Sequence, residues 1–178
     1  MVIGGPGSGK STLARNLGQV TGLPVHHMDR IHWMPGWVER TKADKVPLAR
    51  AIEAQEAWIF EGGLSATFAE RAARADRIIW LDLPSPVRLW RVIKRIAGGY
   101  GRTRPDLPAD CPERIDLAFL WYVLWGSRRT RARQVEVAAA HSDKFVRLTS
   151  QGRIDHWLAS VAAEAGPHSP ADGRRVAG

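Results

Sequence analysis

At 178 residues, with 44% apolar and 25% charged side chains, the chain has the size and composition of one globular domain with a proper core. No apolar run approaches the length of a membrane span, and the lone cysteine, Cys111, rules out an internal disulfide and fits a reducing, cytoplasmic setting. The net charge of +8 is concentrated, with eleven Arg or Lys against four Asp or Glu between Arg88 and Arg133, which suits a phosphate clamp or a nucleic-acid surface.

The chain opens on a short apolar strand, Val2-Ile3, followed by Gly4-Gly5-Pro6-Gly7-Ser8-Gly9-Lys10-Ser11-Thr12. About two residues are few where a buried parallel strand has ~5; an upstream translation start or a truncated strand would account for it. Gly4 to Ser11 fits G-x-x-x-x-G-K-[S/T], the phosphate-binding loop of P-loop NTPases. A triphosphate needs several backbone N–H groups aimed into one concave turn, and glycines clear the approach. Lys10 then reaches the β- and γ-phosphates of ATP, and the Ser11 hydroxyl completes the coordination of Mg²⁺. Leu13 to Leu17 has helical spacing, so the loop opens a helix whose N-terminus faces the anion.

Val25-His26-His27-Met28-Asp29 reads as a second strand with Asp29 at its carboxyl edge, where open α/β sheets bind ligands. An aromatic loop, Ile31 to Trp37, precedes a helix over Lys42–Ala57 with Val46, Ala49, Ile52 and Ala57 as its apolar face. Trp58-Ile59-Phe60 is a third strand ending at Glu61-Gly62-Gly63. A helix through Thr67–Ala75 leads to the fourth strand, Arg77 to Leu83. Val87–Ala97 is helical and carries Arg88, Arg91, Lys94 and Arg95; a basic turn follows from Gly98 to Pro105. Ile115–Trp125 is an aromatic helix running into Arg128-Arg129-Thr130-Arg131-Ala132-Arg133. Phe145 to Leu148 is the fifth strand and Ile154–Ala165 the last helix. Residues 166–178 have the composition of a disordered tail.

Strands alternating with helices predict a three-layer α/β domain over residues 1–165, with a five-stranded parallel sheet and a lid-like basic insert at about 85–134. Asp29, Glu61 and Asp82 stand at strand ends on the edge of the phosphate loop. Asp29 is the first choice to act on an acceptor hydroxyl, or on Mg²⁺ through a water, and Glu61 is the candidate for holding metal-bound water. Asp82 ends a strand that superficially resembles a Walker B strand and also reads as a simple strand-end cap. Arg88 and Arg128 head two arginine groups able to stabilise charge on the transferring phosphoryl group. His26 and His27 are neighbours on a strand and point to opposite faces, which argues against a shared transition-metal ion. Trp33 and Trp37 sit beside the expected acceptor site.

The stretches GGPGSGKSTLA, GLPVHHMDRIHWMPGW, WIFEGG, DRIIWLDLP, GRTRPD and CPERIDLAFLWYVLW resemble, in that order, the adenylate-kinase-like P-loop proteins labelled "DNA topology modulation protein", over roughly residues 1–160. The loop is shared by many families; GRTRPD and CPER are far more particular. The resemblance implies a nucleoside-monophosphate-kinase-like fold with a helical lid. It implies that Gly4–Thr12 take the ATP phosphates, that Arg88 and the lid arginines clamp them, and that Thr149-Ser150 lie near the base. Related proteins usually carry Asp-Gly-Asn-Tyr where this chain has Glu61-Gly62-Gly63-Leu64, a longer acid and a lost aromatic.

The expected function is ATP- and Mg²⁺-dependent phosphoryl transfer to a small molecule or nucleotide by a monomer or homodimer. An AMP-type acceptor pocket would draw on Arg40, Arg71 and Arg74. The alternatives are a nucleic-acid-associated ATPase or regulator, and a nucleotide binder without catalysis. No helix-turn-helix, zinc-finger or RNA-binding signature supports strong nucleic-acid binding.

Overall fold

A computed structural model describes residues 1–126 and 128–165. The predicted tail at 166–178 lies outside the described residues. The central sheet has five parallel strands: β1 (Val2–Gly4), β2 (Val25–His27), β5 (Ile59–Glu61), β6 (Ile78–Leu81) and β7 (Phe145–Leu148), in the order β2-β5-β1-β6-β7. The strand before the glycine loop is therefore central. Its register sets Val2 opposite both Glu61 and Ile79, so the ends of β5 and β6 flank the loop at one sheet edge.

Period-two alternation builds the two apolar layers. Val2, Ile79 and Leu81 pack on α1 (Lys10–Thr21) and α8 (Gln151–Ala165) through Leu13, Leu17 and Ile154. Ile3, Ile78 and Trp80 point the other way, onto Phe68 and Ala72 of α4 (Phe68–Arg74) and Val137 of α7 (Arg128–Ala140). Burying each such aliphatic side chain contributes about 1.5–3 kcal/mol before chain entropy is counted. A third cluster joins Met28 and Ile31 of α2 (Met28–His32) to Ala49 of α3 (Lys42–Glu53) and Phe60 of β5. α5 (Ser85–Gly99) packs Val92 and Ile96 against Val123 to found the basic insert.

Four expectations change. Asp29 belongs to the first turn of α2 rather than to the strand, because β2 ends at His27. The aromatic loop is a small antiparallel hairpin of β3 (Trp33–Met34) and β4 (Val38–Glu39), joined by a tight turn at Pro35–Trp37. The helix from Lys42 stops at Glu53, leaving Ala57 exposed beyond it. The aromatic helix is shorter, since α6 (Leu117–Trp121) passes at Tyr122–Gly126 into a wider helical turn, while the arginines that follow start α7.

Candidate active site

The glycine loop runs from β1 into α1, with Gly9 as the residue before the helix. Gly7 (φ 75) and Gly9 (φ 93) take left-handed backbone conformations that other residues resist. A Cβ on Gly7 would also clash with the Arg88 carbonyl oxygen, so α5 presses directly on the loop. The Ser8 N–H donates to the Gly5 carbonyl at 3.2 Å and closes the turn. Residues Pro6 to Thr12 line a cavity of about 650 Å³ that they share with Asp29, Trp33 and Trp37. Amides of a glycine loop at a helix N-terminus form an anion cradle.

Glu61 lies beneath this cradle, 1% exposed at the end of β5. Its Oε1 accepts from the Ser11 hydroxyl at 3.0 Å and sits 2.9 Å from His27 Nδ1, while Oε2 is 3.9 Å from Lys10 Nζ. Burial pushes its carboxyl pKa up. Lys10, His27 and Ser11 together outweigh that and hold it below the ordinary value, so Glu61 is an anion. Oε2 is buried without a hydrogen-bond partner. An acceptor atom so placed beside a serine hydroxyl suits a water carried by Mg²⁺, which keeps several of its waters. Among the described residues no group of three His, Cys, Asp or Glu could cage a metal alone. The donor set therefore fits a cation that also takes phosphate oxygens, rather than an all-protein site.

Asp29, partly buried, faces the same cavity from α2, and the hairpin supplies its aromatic wall. Trp33 and Trp37 meet edge to face at 5.3 Å. Trp37 is held at φ 61 and Asp110 at φ 54, the non-glycine residues in the left-handed region among those described. Each such backbone costs on the order of 1–3 kcal/mol and persists only where its surroundings enforce it. Here the enforcement is visible. The Trp37 indole N–H donates to the Pro112 carbonyl at 3.0 Å, the Gly36 N–H to the Asp110 carbonyl at 3.0 Å, and the Cys111 thiol to Met34 O at 3.5 Å. The hairpin is thereby stitched to the 100–116 loop, whose GRTRPD and CPER stretches pair with each other at Thr103 and Pro112.

That loop brings charge to the cavity. Arg104 pairs with Asp106 at 2.6 Å and with Glu113, Arg95 pairs with Glu113 at 3.0 Å, and Arg15 lies 3.8 Å from Asp106. Burial, then the neighbouring Arg104 charge, holds Arg95 below the ordinary guanidinium range despite Glu113. Two cations crowded on one carboxylate are suited to receive further negative charge. Arg91 completes this side, donating to Ser8 O at 3.3 Å and to Gln151 at 2.8 Å.

The remaining candidates are placed differently. Arg88 is 7% exposed and donates from Nε to Leu83 O at 3.1 Å and from Nη1 to Pro6 O at 3.4 Å, so it braces the loop from outside. Gly5, Arg88 and Thr149 line a neighbouring cavity of about 320 Å³ with Asp82. Asp82 is bound by two arginines, Arg131 at 2.9 Å and Arg147, in keeping with a strand-end cap. Arg128 opens α7, and its side chain lies outside what the structure describes. Of the arginines considered for an AMP-type pocket, none lines the main cavity. Arg40 donates to Ile31 O and Arg74 to Gln55 O. Arg71 is fully buried, 4.5 Å above the Phe60 ring and 3.7 Å from Glu53, with burial lowering its pKa to about 10.

Sequence reasoning missed His27 as the partner of Glu61, and Arg104 and Arg114 as cavity residues, while it grouped Arg91 and Arg95 with Arg88 on one helix face. His27 pairs with Glu61 in the β2–β5 register, which only strand order reveals. On α5 a signal did exist. Arg91 and Arg95 lie one and two turns beyond Arg88, and the buried Val92 and Ile96 beside them fix which way that face turns.

No family model and no curated protein matches the chain. Solved structures do. A sugar kinase from Janibacter sp. HTCC2649, in an unliganded structure, is 20% identical over 94% of this chain and 96% of its own, with a TM-score of 0.50. The shikimate kinase from Acinetobacter baumannii in complex with shikimate is 17% identical over 90% of this chain and 88% of its own, with a TM-score of 0.52. These likenesses are of fold: the chain has the three-layer α/β architecture of P-loop kinases, with a five-stranded parallel sheet.

Proposed function

We propose that this protein is an ATP-dependent kinase that transfers the γ-phosphoryl group to a hydroxyl of a small molecule. The observation that carries the reading is one cavity lined both by the phosphate loop from Pro6 to Thr12 and by a carboxylate, Asp29, with the Trp33 and Trp37 rings. Phosphoryl transfer requires both, one to hold the donor and one to orient the nucleophile. The two solved structures described above are named as kinases, one of a sugar and one of shikimate, which supports a small-molecule acceptor.

In this reading the amides of Gly4 to Thr12 and the Lys10 ammonium bind the triphosphate. Arg91 lies where it can neutralise phosphate charge, and Arg95 and Arg104 can leave Glu113 for the transferring group. Arg88 acts through the loop it braces. A Mg²⁺ ion held here would supply positive charge to offset the charge developing on the phosphates. Ser11 would hold it directly, Glu61 through a water, and Asp29 by a further water or as the base on the acceptor hydroxyl. His27 fixes the rotamer in which Glu61 receives Ser11. The GRTRPD and CPER stretches, whose Arg104, Asp106, Glu113 and Arg114 line the cavity, support placing the chain with the adenylate-kinase-like "DNA topology modulation" proteins. The insert at 85–134 then serves as the lid of a single domain spanning 1–165. We place the reaction in the cytoplasm.

The test is acceptor-dependent ADP release from ATP and Mg²⁺ across nucleotides, nucleosides, sugars and hydroxy acids. Turnover that requires an acceptor supports the kinase. ATP binding by calorimetry with no acceptor-dependent turnover favours the silent binder.

A further inference from the structure

If the protein is a kinase, the end of the cavity away from the glycine loop must select the acceptor, and its charges and rings constrain the acceptor's chemistry. Most guanidinium groups of the cavity already have carboxylates: Arg15, Arg95 and Arg104 are paired with Asp106 or Glu113. Two have no carboxylate partner among the described residues. Arg91 is bonded to Ser8 O and Gln151, at the phosphate-loop end. Arg114 lies by the aromatic wall, its guanidinium 5.7 Å from the centroid of the Trp37 ring. Asp116, close by in sequence, is engaged in capping α6 through the Phe119 N–H at 3.0 Å.

The wall beside Arg114 is built rather than incidental. Trp37 is in a left-handed backbone conformation, its indole N–H is fixed on Pro112, and its ring is set edge to face on Trp33. A flat aromatic surface of this kind receives the face of a ring. A guanidinium over an indole keeps its N–H edges free for a planar, bidentate anion. A nucleoside monophosphate carries close to two charges, and Arg40, Arg71 and Arg74 are engaged away from the cavity. With Arg91, Arg95 and Arg104 assigned to the phosphates of ATP, Arg114 is the cation left beside the aromatic wall, and it matches one negative charge.

We propose that the acceptor is a cyclic hydroxylated monocarboxylate, an assignment that rests on the kinase reading of this cavity. Its ring lies on the Trp33–Trp37 wall, its carboxylate pairs with Arg114, and a ring hydroxyl faces Asp29. The hydroxyl oxygen bonds to the γ-phosphorus of ATP, and the bond from that phosphorus to the β,γ-bridging oxygen breaks, its electron pair leaving on ADP. The hydroxyl proton passes to the Asp29 carboxylate. The products are a phosphorylated ring acid and ADP.

The experiment measures ADP release by the purified chain with three sets of acceptors. These are cyclic hydroxycarboxylates (quinate, the hydroxycyclohexanecarboxylates and the hydroxybenzoates), neutral ring polyols (myo-inositol and glucose), and AMP. Turnover with a ring carboxylate is expected. Arg114→Met should raise its KM by on the order of 10–10² while leaving the KM for ATP unchanged, and Arg114→Lys should recover part of the loss. Turnover with only the neutral polyols or AMP overturns the acceptor class and keeps the kinase. Ring-acid turnover indifferent to Arg114→Met overturns the seat assigned to the carboxylate. No turnover with any of the three sets overturns the acceptor class, and the kinase reading falls with it only if the wider screen of nucleotides, nucleosides, sugars and hydroxy acids is also silent.

Discussion

Glu61 and Asp82 flank the glycine loop at the same sheet edge, one on each side of β1, and they have opposite surroundings. Glu61 is buried among a lysine, a serine hydroxyl and a histidine, with one oxygen lacking a hydrogen-bond partner. Asp82 is held by two arginine forks, with Arg131 and Arg147 also stacked over Trp80 at 5.5 and 5.0 Å. A strand-end acid is thus a position, and its partners set its role. The acid with spare acceptor capacity beside the phosphate loop is suited to chemistry. The saturated one ties β6 to β7 and α7.

The largest expected effect tests the loop to which Glu61 belongs. Lys10→Ala should abolish measurable ATP binding by calorimetry while leaving the far-ultraviolet circular dichroism unchanged, because it removes a cation aimed at phosphate and little packing. Undiminished affinity would remove the basis for the active side of the comparison.

Asp29 comes next. Asp29→Asn should leave ATP affinity nearly intact and cut acceptor-dependent turnover by roughly 10²–10⁴, the range for loss of a general base. Wild-type turnover in that variant would transfer the role to Glu61.

The two flanking acids can then be set directly against each other. Glu61→Gln should raise the Mg²⁺ concentration needed for half-maximal rate, and Asp82→Asn should leave that titration where it is. Asp82→Asn should instead lower the urea midpoint by an amount equivalent to about 1 kcal/mol, small because both arginines are half exposed. Its pH dependence has a definite sign. Burial raises the Asp82 pKa, and the hydrogen bonds and charges of Arg131 and Arg147 more than reverse this, so the folded value is below the ordinary 3.8. The stabilisation is complete above 3.8 and is lost as pH falls through the lower folded value, so wild type and Asp82→Asn should converge in strong acid. A difference that persists there would mean the mutation acts through packing.

The smallest effect concerns the basic segment as a whole. With Arg95, Arg104, Arg131 and Arg147 paired to carboxylates, duplex DNA should bind only at about 10⁻⁴–10⁻⁶ M at physiological salt, falling steeply as salt rises. Sequence-selective nanomolar binding would favour the regulator.

The sequence by itself determined the elements whose cause is local. The glycine loop is legible because its conformation demands particular residues, and the five strands are legible because apolar runs end at turn residues. The parallel α/β architecture follows from their alternation with helices. Short-range structure around the acceptor was less legible: Asp29 moved onto a one-turn helix and the aromatic loop became a hairpin, since the contacts that fix both come from residues far along the chain. The Gly36 N–H reaches Asp110 and the Trp37 indole reaches Pro112. Only the tertiary structure could pair His27 with Glu61, assign Asp82 to two arginines, bury Arg71 among aromatics and leave Arg114 facing the cavity. A charge's role depends on distance and desolvation, and neither is encoded in the spacing of residues along the chain.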